Sequence, residues 1–102
     1  MTETDLVRTI IKWVKGHKGD AWHVHGSSVQ RAGEPDIDGW FPVGFKIIHF
    51  KVECKIGKGV VSPIQAARLG KYREAHYATG VAYSLDDFKD IIEEAIILEW
   101  YC

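Results

Sequence analysis

Two carboxylates and a lysine carry the chemistry this sequence can do. Pro35-Asp36 is followed, after sixteen residues, by Glu53-Cys54-Lys55. Pairing the two segments as strands brings Asp36 beside Glu53. Alternation along a strand then sets Lys55 on the face of Glu53, about 7 Å further on. Two carboxylates held together repel, and one of them ordinarily keeps its proton. A divalent cation removes that repulsion, and carboxylate oxygens are the ligands that Mg²⁺ and Mn²⁺ prefer.

Phosphodiester hydrolysis needs such a set. Its substrate is already anionic, so an attacking oxygen is repelled until charge is neutralised. A cation on Asp36 and Glu53 polarises a phosphoryl oxygen and acidifies water. Lys55 supplies a fixed positive charge to orient that water and balance the pentavalent transition state. The plainer alternative makes Asp36 a turn residue after proline and Glu53–Lys55 an exposed ion pair.

These residues need elements to hold them. Leu6, Val7, Ile10, Ile11 and Val14 recur at spacings of three and four, which predicts a helix over 3–16. Thr2 caps it, Asp5 completes an imperfect capping box, and Gly16 and Gly19 end it. Short strands are expected over Ala21–His25 and Asp36–Phe41, separated by loop chemistry at Gly26-Ser27-Ser28 and Ala32-Gly33-Glu34-Pro35. Pro42-Val43-Gly44 reads as a turn and Phe45–Lys55 as the longest strand, with Phe50, Val52 and Cys54 on one face and Lys51, Glu53 and Lys55 on the other. Gly57 and Gly59 flank Lys58 in a loop. Ser62-Pro63-Ile64-Gln65 starts a second helix, expected to reach Thr79 and stop at Gly80. Val81–Tyr83 reads as a short strand, and Ser84 caps a last helix over 84–98 with Asp87 three residues on. The order α, three strands, α, β, α predicts an α/β fold, a mixed sheet flanked by helices.

Cations elsewhere are candidates for nucleic-acid contact. Arg31 lies just before the acid motif, with Ser28 and Gln30; it grips a phosphate or is a solvated loop residue. Lys58 sits between glycines that let a phosphate backbone approach. Arg68, Lys71 and Arg73 form a basic side of the second helix, either a plain surface or a second DNA contact. His17, His23 and His25 lack a fourth ligand and zinc spacing. The four tryptophans are core or interface, with base stacking by Trp40 as an alternative. Cys54 faces away from Glu53 and Lys55, as a small buried apolar residue does.

The 102 residues suit one domain with one core. The net charge of −1 hides an asymmetry: residues 84–102 hold six acids and one base, while residues 1–83 hold twelve bases against eight acids. A phosphate-binding face is therefore compatible with the acidic total; the alternative is a last helix with an acidic solvated face. No apolar run approaches the roughly 18 residues of a membrane span. No basic segment follows Met1, so no signal peptide is expected. Two cysteines, Cys54 and Cys102, suggest neither a disulfide scaffold nor a zinc site, and a reducing cytoplasm is the expected location. The closing Ile96-Ile97-Leu98-Glu99-Trp100-Tyr101 is apolar on more than one face, which hints at a dimer interface.

Pro35-Asp36 with Glu53-Cys54-Lys55 resembles the signature of the PD-(D/E)XK nuclease superfamily. Gly33-Glu34-Pro35-Asp36, Glu53-Cys54-Lys55, Gly57-Lys58-Gly59 and Ser62-Pro63-Ile64-Gln65, in that order, are similar to the virus-type replication-repair nuclease (VRR-NUC) domain. The likeness spans essentially the whole chain and fits a stand-alone, phage-type member. It implies a restriction-endonuclease-like core of αβββαβ(α) order. It implies Mg²⁺ or Mn²⁺ on Asp36, Glu53 and the Cys54 backbone carbonyl, with Lys55 at the water. It also implies a role for Gln65, whose structural alternative is the cap on Ser62, and for an acid on the first helix. Glu3 is preferred there over Asp5; its alternative is to favour the helix dipole. The expected activity is endonucleolytic hydrolysis of branched DNA, Holliday junctions or flaps, in replication, recombination or repair, by a homodimer. The alternatives are a restriction-type or RNA-directed nuclease on the same scaffold, and a non-catalytic nucleic-acid-binding module.

Overall fold

A computed structural model of the chain describes residues 1–24 and 32–101, with side chains as far as Leu98. The elements run α1 (Glu3–Gly16), β1 (Asp20–His23), β2 (Ile37–Val43), β3 (Lys46–Cys54), α2 (Pro63–Glu74), β4 (Ala78–Ala82) and α3 (Leu85–Tyr101). The sheet order is β1-β2-β3-β4, antiparallel except for the β3–β4 pair, which is parallel. The expected mixed sheet flanked by helices is present.

Alternation divides the sheet into two faces. Ile37, Gly39 and Phe41 of β2 stand opposite Val52, Phe50 and Ile48 of β3, and this face carries the core. Helices α1 and α3 cover it. Leu6, Val7, Ile10 and Val14 are the buried stripe of α1. Phe88 of α3 meets Phe50 edge-on at 5.0 Å, and Trp13 of α1 stacks on Phe41 at 5.4 Å. Helix α2 lies on the opposite face, where the Lys51 ammonium sits 4.6 Å from the centre of the Tyr72 ring. Among the described residues no helix is long and apolar enough to cross a membrane.

The caps form as the sequence foretells. Asp5 stands in for the usual Glu or Gln: Thr2 N–H donates to its Oδ2 at 2.9 Å, and its own N–H donates to Thr2 Oγ1 at 3.1 Å. At α3, Asp87 N–H donates to Ser84 Oγ at 3.1 Å.

Several boundaries differ from expectation: β4 spans Ala78–Ala82 rather than Val81–Tyr83, and α3 runs to Tyr101 rather than 98. Pro42 and Val43 belong to β2, paired with Ile47 and Lys46, so the hairpin turn shrinks to Gly44-Phe45. Gly44 takes φ 61, as the first central residue of a two-residue hairpin turn requires. Pro42 is tolerated because it lies beyond the end of β1, where one edge of β2 has no neighbour. Helix α2 ends at Glu74 rather than Thr79, because His76 adopts the left-handed conformation (φ 69). Tyr77 N–H then closes on Tyr72 O at 3.0 Å and His76 N–H on Arg73 O at 3.0 Å, a Schellman ending without glycine. Gly80, expected to stop that helix, sits inside β4; a Cβ there would come within 2.8 Å of the Ile91 side chain, so this glycine lets α3 approach the strand. The first strand ends at His23 instead of His25, and His25 lies outside the described residues.

Candidate active site

The β2–β3 register places the acids. Ile37 pairs with Val52, and one further step sets Asp36 opposite Glu53 at the open end of the hairpin. Lys55 follows on the face of Glu53, and its N–H donates to Ala82 O at 3.1 Å, which ties the end of β3 to β4.

Asp36 is anchored at both its groups. Its carbonyl accepts from Val24 N–H at 2.7 Å, and its Oδ2 accepts from Cys54 N–H at 2.9 Å. Glu53 is 2% exposed, which is unusual for a carboxylate. Burial first, then a hydrogen bond to Asp36 and the charge of Asp36, push the Glu53 carboxyl up to about 9; Lys55 pulls it down and Glu3 adds to the rise. Its Oε2 is buried without a hydrogen-bond partner. The same surroundings push the Cys54 thiol up to about 12, through burial and then the charges of Asp36, Glu53 and Glu3. A thiol held there is not a nucleophile at neutral pH.

This arrangement suits a hard cation. An orphaned carboxylate oxygen beside a second carboxylate is stabilised by a proton or by a metal, and the metal restores both charges to use. Asp36, Glu53 and the backbone carbonyl of Cys54 are the groups that could hold it. Among the described residues no three His, Cys, Asp or Glu side chains converge as a metal-holding group. Glu3 is exposed in the first turn of α1, and its charge acts on Glu53 and Cys54.

The other expected residues divide. Gln65 sits in the first turn of α2, where its Oε1 accepts from Ser62 N–H at 2.8 Å and its own N–H donates to Ser62 Oγ at 3.2 Å. Its carbonyl oxygen is thus engaged in the capping box. Lys58 is exposed beside Gly57 (φ 56), in a turn that Tyr83 pins by donating its hydroxyl to Gly59 O at 2.8 Å. Arg68 turns inward: its Nε donates to Ala32 O at 3.3 Å and lies 3.7 Å from Glu34 Oε1. Arg73 donates to Thr79 O at 3.4 Å yet stays exposed, as does Lys71. Arg31, with Ser28 and Gln30, lies outside the described residues, as do the side chains of Glu99, Trp100 and Tyr101.

Two features were not expected from the sequence. Lys51 is paired with Asp38 at 2.7 Å; burial pulls its ammonium down, but that carboxylate wins and raises it. Asp38 is thereby neutralised next to the acid pair. Glu34 accepts from the Tyr72 hydroxyl at 2.6 Å. The Asp38–Lys51 pair follows from the same register that sets Asp36 opposite Glu53, but nothing local marks it as an ion pair, and Glu34–Tyr72 spans 38 residues with no local signal.

Known proteins of similar architecture are nuclease domains. One solved structure described as a VRR_NUC domain is 20% identical and superposes over the whole of both chains with a TM-score of 0.68. A second, a VRR_NUC domain protein, is 19% identical over 96% of this chain and 90% of that one, with a TM-score of 0.67. The Holliday junction resolvase Hjc of Archaeoglobus fulgidus is 21% identical over 79% of this chain and 67% of its own, with a TM-score of 0.57. No family model and no curated protein matches the sequence. The chain therefore has the restriction-endonuclease-like fold of these nucleases, at a level of identity that speaks for architecture alone.

Proposed function

We propose that this chain is a VRR-NUC-type endonuclease that hydrolyses phosphodiester bonds in branched DNA with Mg²⁺ or Mn²⁺. The observation that carries the reading is the buried Glu53 beside the half-buried Asp36, with an unpartnered Glu53 oxygen and Lys55 close enough to act on its charge. An exposed structural ion pair explains none of these, because burying a carboxylate against a second one costs stability unless a proton or a cation meets them. The shared fold with two VRR_NUC domains and a Holliday junction resolvase supports the same class and points to branched substrates.

When bound, the metal supplies Lewis acidity at the phosphate and at water. Asp36 and Glu53 hold it, and the Cys54 amide fixes the rotamer of Asp36. Lys55 offers positive charge to the phosphoryl oxygens and to the attacking water. Glu3 is a further acid at the edge of the site. Exposed Lys58 and Lys71, with Arg31, supply backbone-phosphate contacts, and Gln65, held in its capping box with Ser62, contributes from the first turn of α2.

The test is a substrate panel of four-way junctions, flaps, linear duplex and RNA, with Mg²⁺ or Mn²⁺. Cleavage of the branched forms, lost in Glu53→Ala, is expected; full activity of Glu53→Ala, or in EDTA, refutes the assignment. Sequence-specific cutting of plain duplex would point instead to a restriction-type enzyme. The enzyme is further proposed to act in the cytoplasm as a homodimer, supported by Ile97 and Leu98 standing half exposed on α3. Light scattering at micromolar concentration checks the dimer.

A further inference from the structure

We propose that Tyr72 and Arg68, one helical turn apart on α2, are positioning residues that clamp the Gly33–Pro35 segment and so aim the Asp36 carboxylate at the Cys54 amide. The role in catalysis rests on the nuclease reading above; the clamp itself does not.

Among the described residues, strand pairing holds Asp36 from its carbonyl onward: Val24 N–H meets that carbonyl, and Ile37 is the first paired residue of β2. The side-chain direction of Asp36 also depends on how the chain enters, and that entry is a loop. Loops hold a fixed course only when something ties them down. Here helix α2 ties three successive residues. Gly33 takes φ 80 and packs so close to the first turn of α2 that a Cβ would come within 2.9 Å of Ile64 O. Glu34 receives the Tyr72 hydroxyl at 2.6 Å and faces the Arg68 guanidinium at 3.7 Å, while that guanidinium also holds Ala32 O. Pro35 is fully buried with its φ fixed by the ring. Tyr72 is in turn held under the Lys51 ammonium, whose partner is Asp38, two residues past the catalytic acid.

The short Tyr72–Glu34 bond is charge-assisted and spans from helix to loop, which gives it leverage on the residue two positions on. Groups that orient metal ligands typically change metal affinity or turnover by about ten- to a hundredfold when removed. Arg68 belongs to this clamp rather than to a DNA-gripping surface.

The deciding measurement is amide hydrogen exchange at Cys54 in the metal-free protein, with Phe50 in the middle of β3 as internal reference. Cys54 N–H donates to Asp36 Oδ2, so its protection reports whether that carboxylate is in place. Tyr72→Phe keeps the ring under Lys51 and removes only the hydroxyl. The expected result is Cys54 exchange faster by about tenfold in Tyr72→Phe and in Glu34→Ala, retained protection in Glu34→Gln, which keeps an acceptor, and Phe50 unchanged. Turnover of junction DNA should show the same order through kcat, with KM unaltered. Unchanged Cys54 exchange in Tyr72→Phe overturns the clamp, as does a rise in KM alone. If the wild-type protein neither binds Mn²⁺ nor cleaves, the nuclease reading fails, and the exchange data still decide the clamp.

Discussion

Asp36 and Glu53 stand opposite each other at the open end of one hairpin, with the Cys54 amide on Asp36 and no partner, among the described residues, on the buried Oε2 of Glu53. A pair so placed is a liability for folding and an asset for binding a cation.

Stability should fall with rising pH in the metal-free protein. Burial and Asp36 raise the Glu53 carboxyl from its ordinary 4.5 to about 9. Between those values the folded chain holds a proton that the unfolded chain has released, so the contribution is full below 4.5 and lost as pH climbs through about 9. Melting curves in EDTA from pH 5 to 9 should slope downward for the wild type and more gently for Glu53→Gln. Parallel slopes would show that the carboxyl is not the titrating group.

Metal should act in the opposite sense. Saturating Mg²⁺ or Mn²⁺ binds the folded state alone and should raise the melting temperature, by about 2.7 kcal/mol of stability at a hundred times the dissociation constant. The rise should vanish in Asp36→Asn and Glu53→Gln. An equal rise in these variants would place the cation elsewhere.

Catalysis should depend on Lys55 without dependence of the fold. Lys55→Met keeps the aliphatic stem that packs near Gly59 and removes the charge. Turnover should drop by about a hundredfold or more, with melting temperature little changed. Retained turnover would reduce Lys55 to a surface partner of Glu53.

His76→Gly should stabilise the protein. A β-carbon is unfavourable at the left-handed φ of 69 that ends α2, and removing it is worth about 1 kcal/mol. Thermal or urea unfolding reads the gain; a loss would mean that the imidazole contributes contacts outweighing the strain.

Gly39→Ala should do the reverse. A methyl there collides with Asp20 O and with the ring of Phe50, between two strands that cannot part. Overpacking of this kind costs about 1–3 kcal/mol, which urea unfolding resolves. No change in the midpoint would show that the sheet gives way there.

How far the sequence could be read depended on where each determinant lies along the chain. Helix α1 and the starts of α2 and α3 were legible because stripe and cap are local. Asp36, Glu53 and Lys55 were legible because strand alternation and one hairpin relate them. The end of α2 was not, since a histidine took the position that glycine usually marks, and Gly80 offered a false stop whose real cause is the side chain of Ile91 on a later helix. Arg68 read as a surface cation because Ala32 and Glu34, its partners, are more than thirty residues away. Side chains that join distant segments leave no periodic trace.

The two-residue turn at Gly44-Phe45 bears on how such a chain can be rebuilt. Seven paired residues on each arm separate it from the acids, so the tip can be lengthened, shortened or fused to a foreign segment while Asp36 and Glu53 keep their mutual placement. An odd insertion within one arm behaves differently: parity along the strand would send one acid into the oily interior. Grafting at the tip is tolerated by geometry, and single-residue indels along the arms are not.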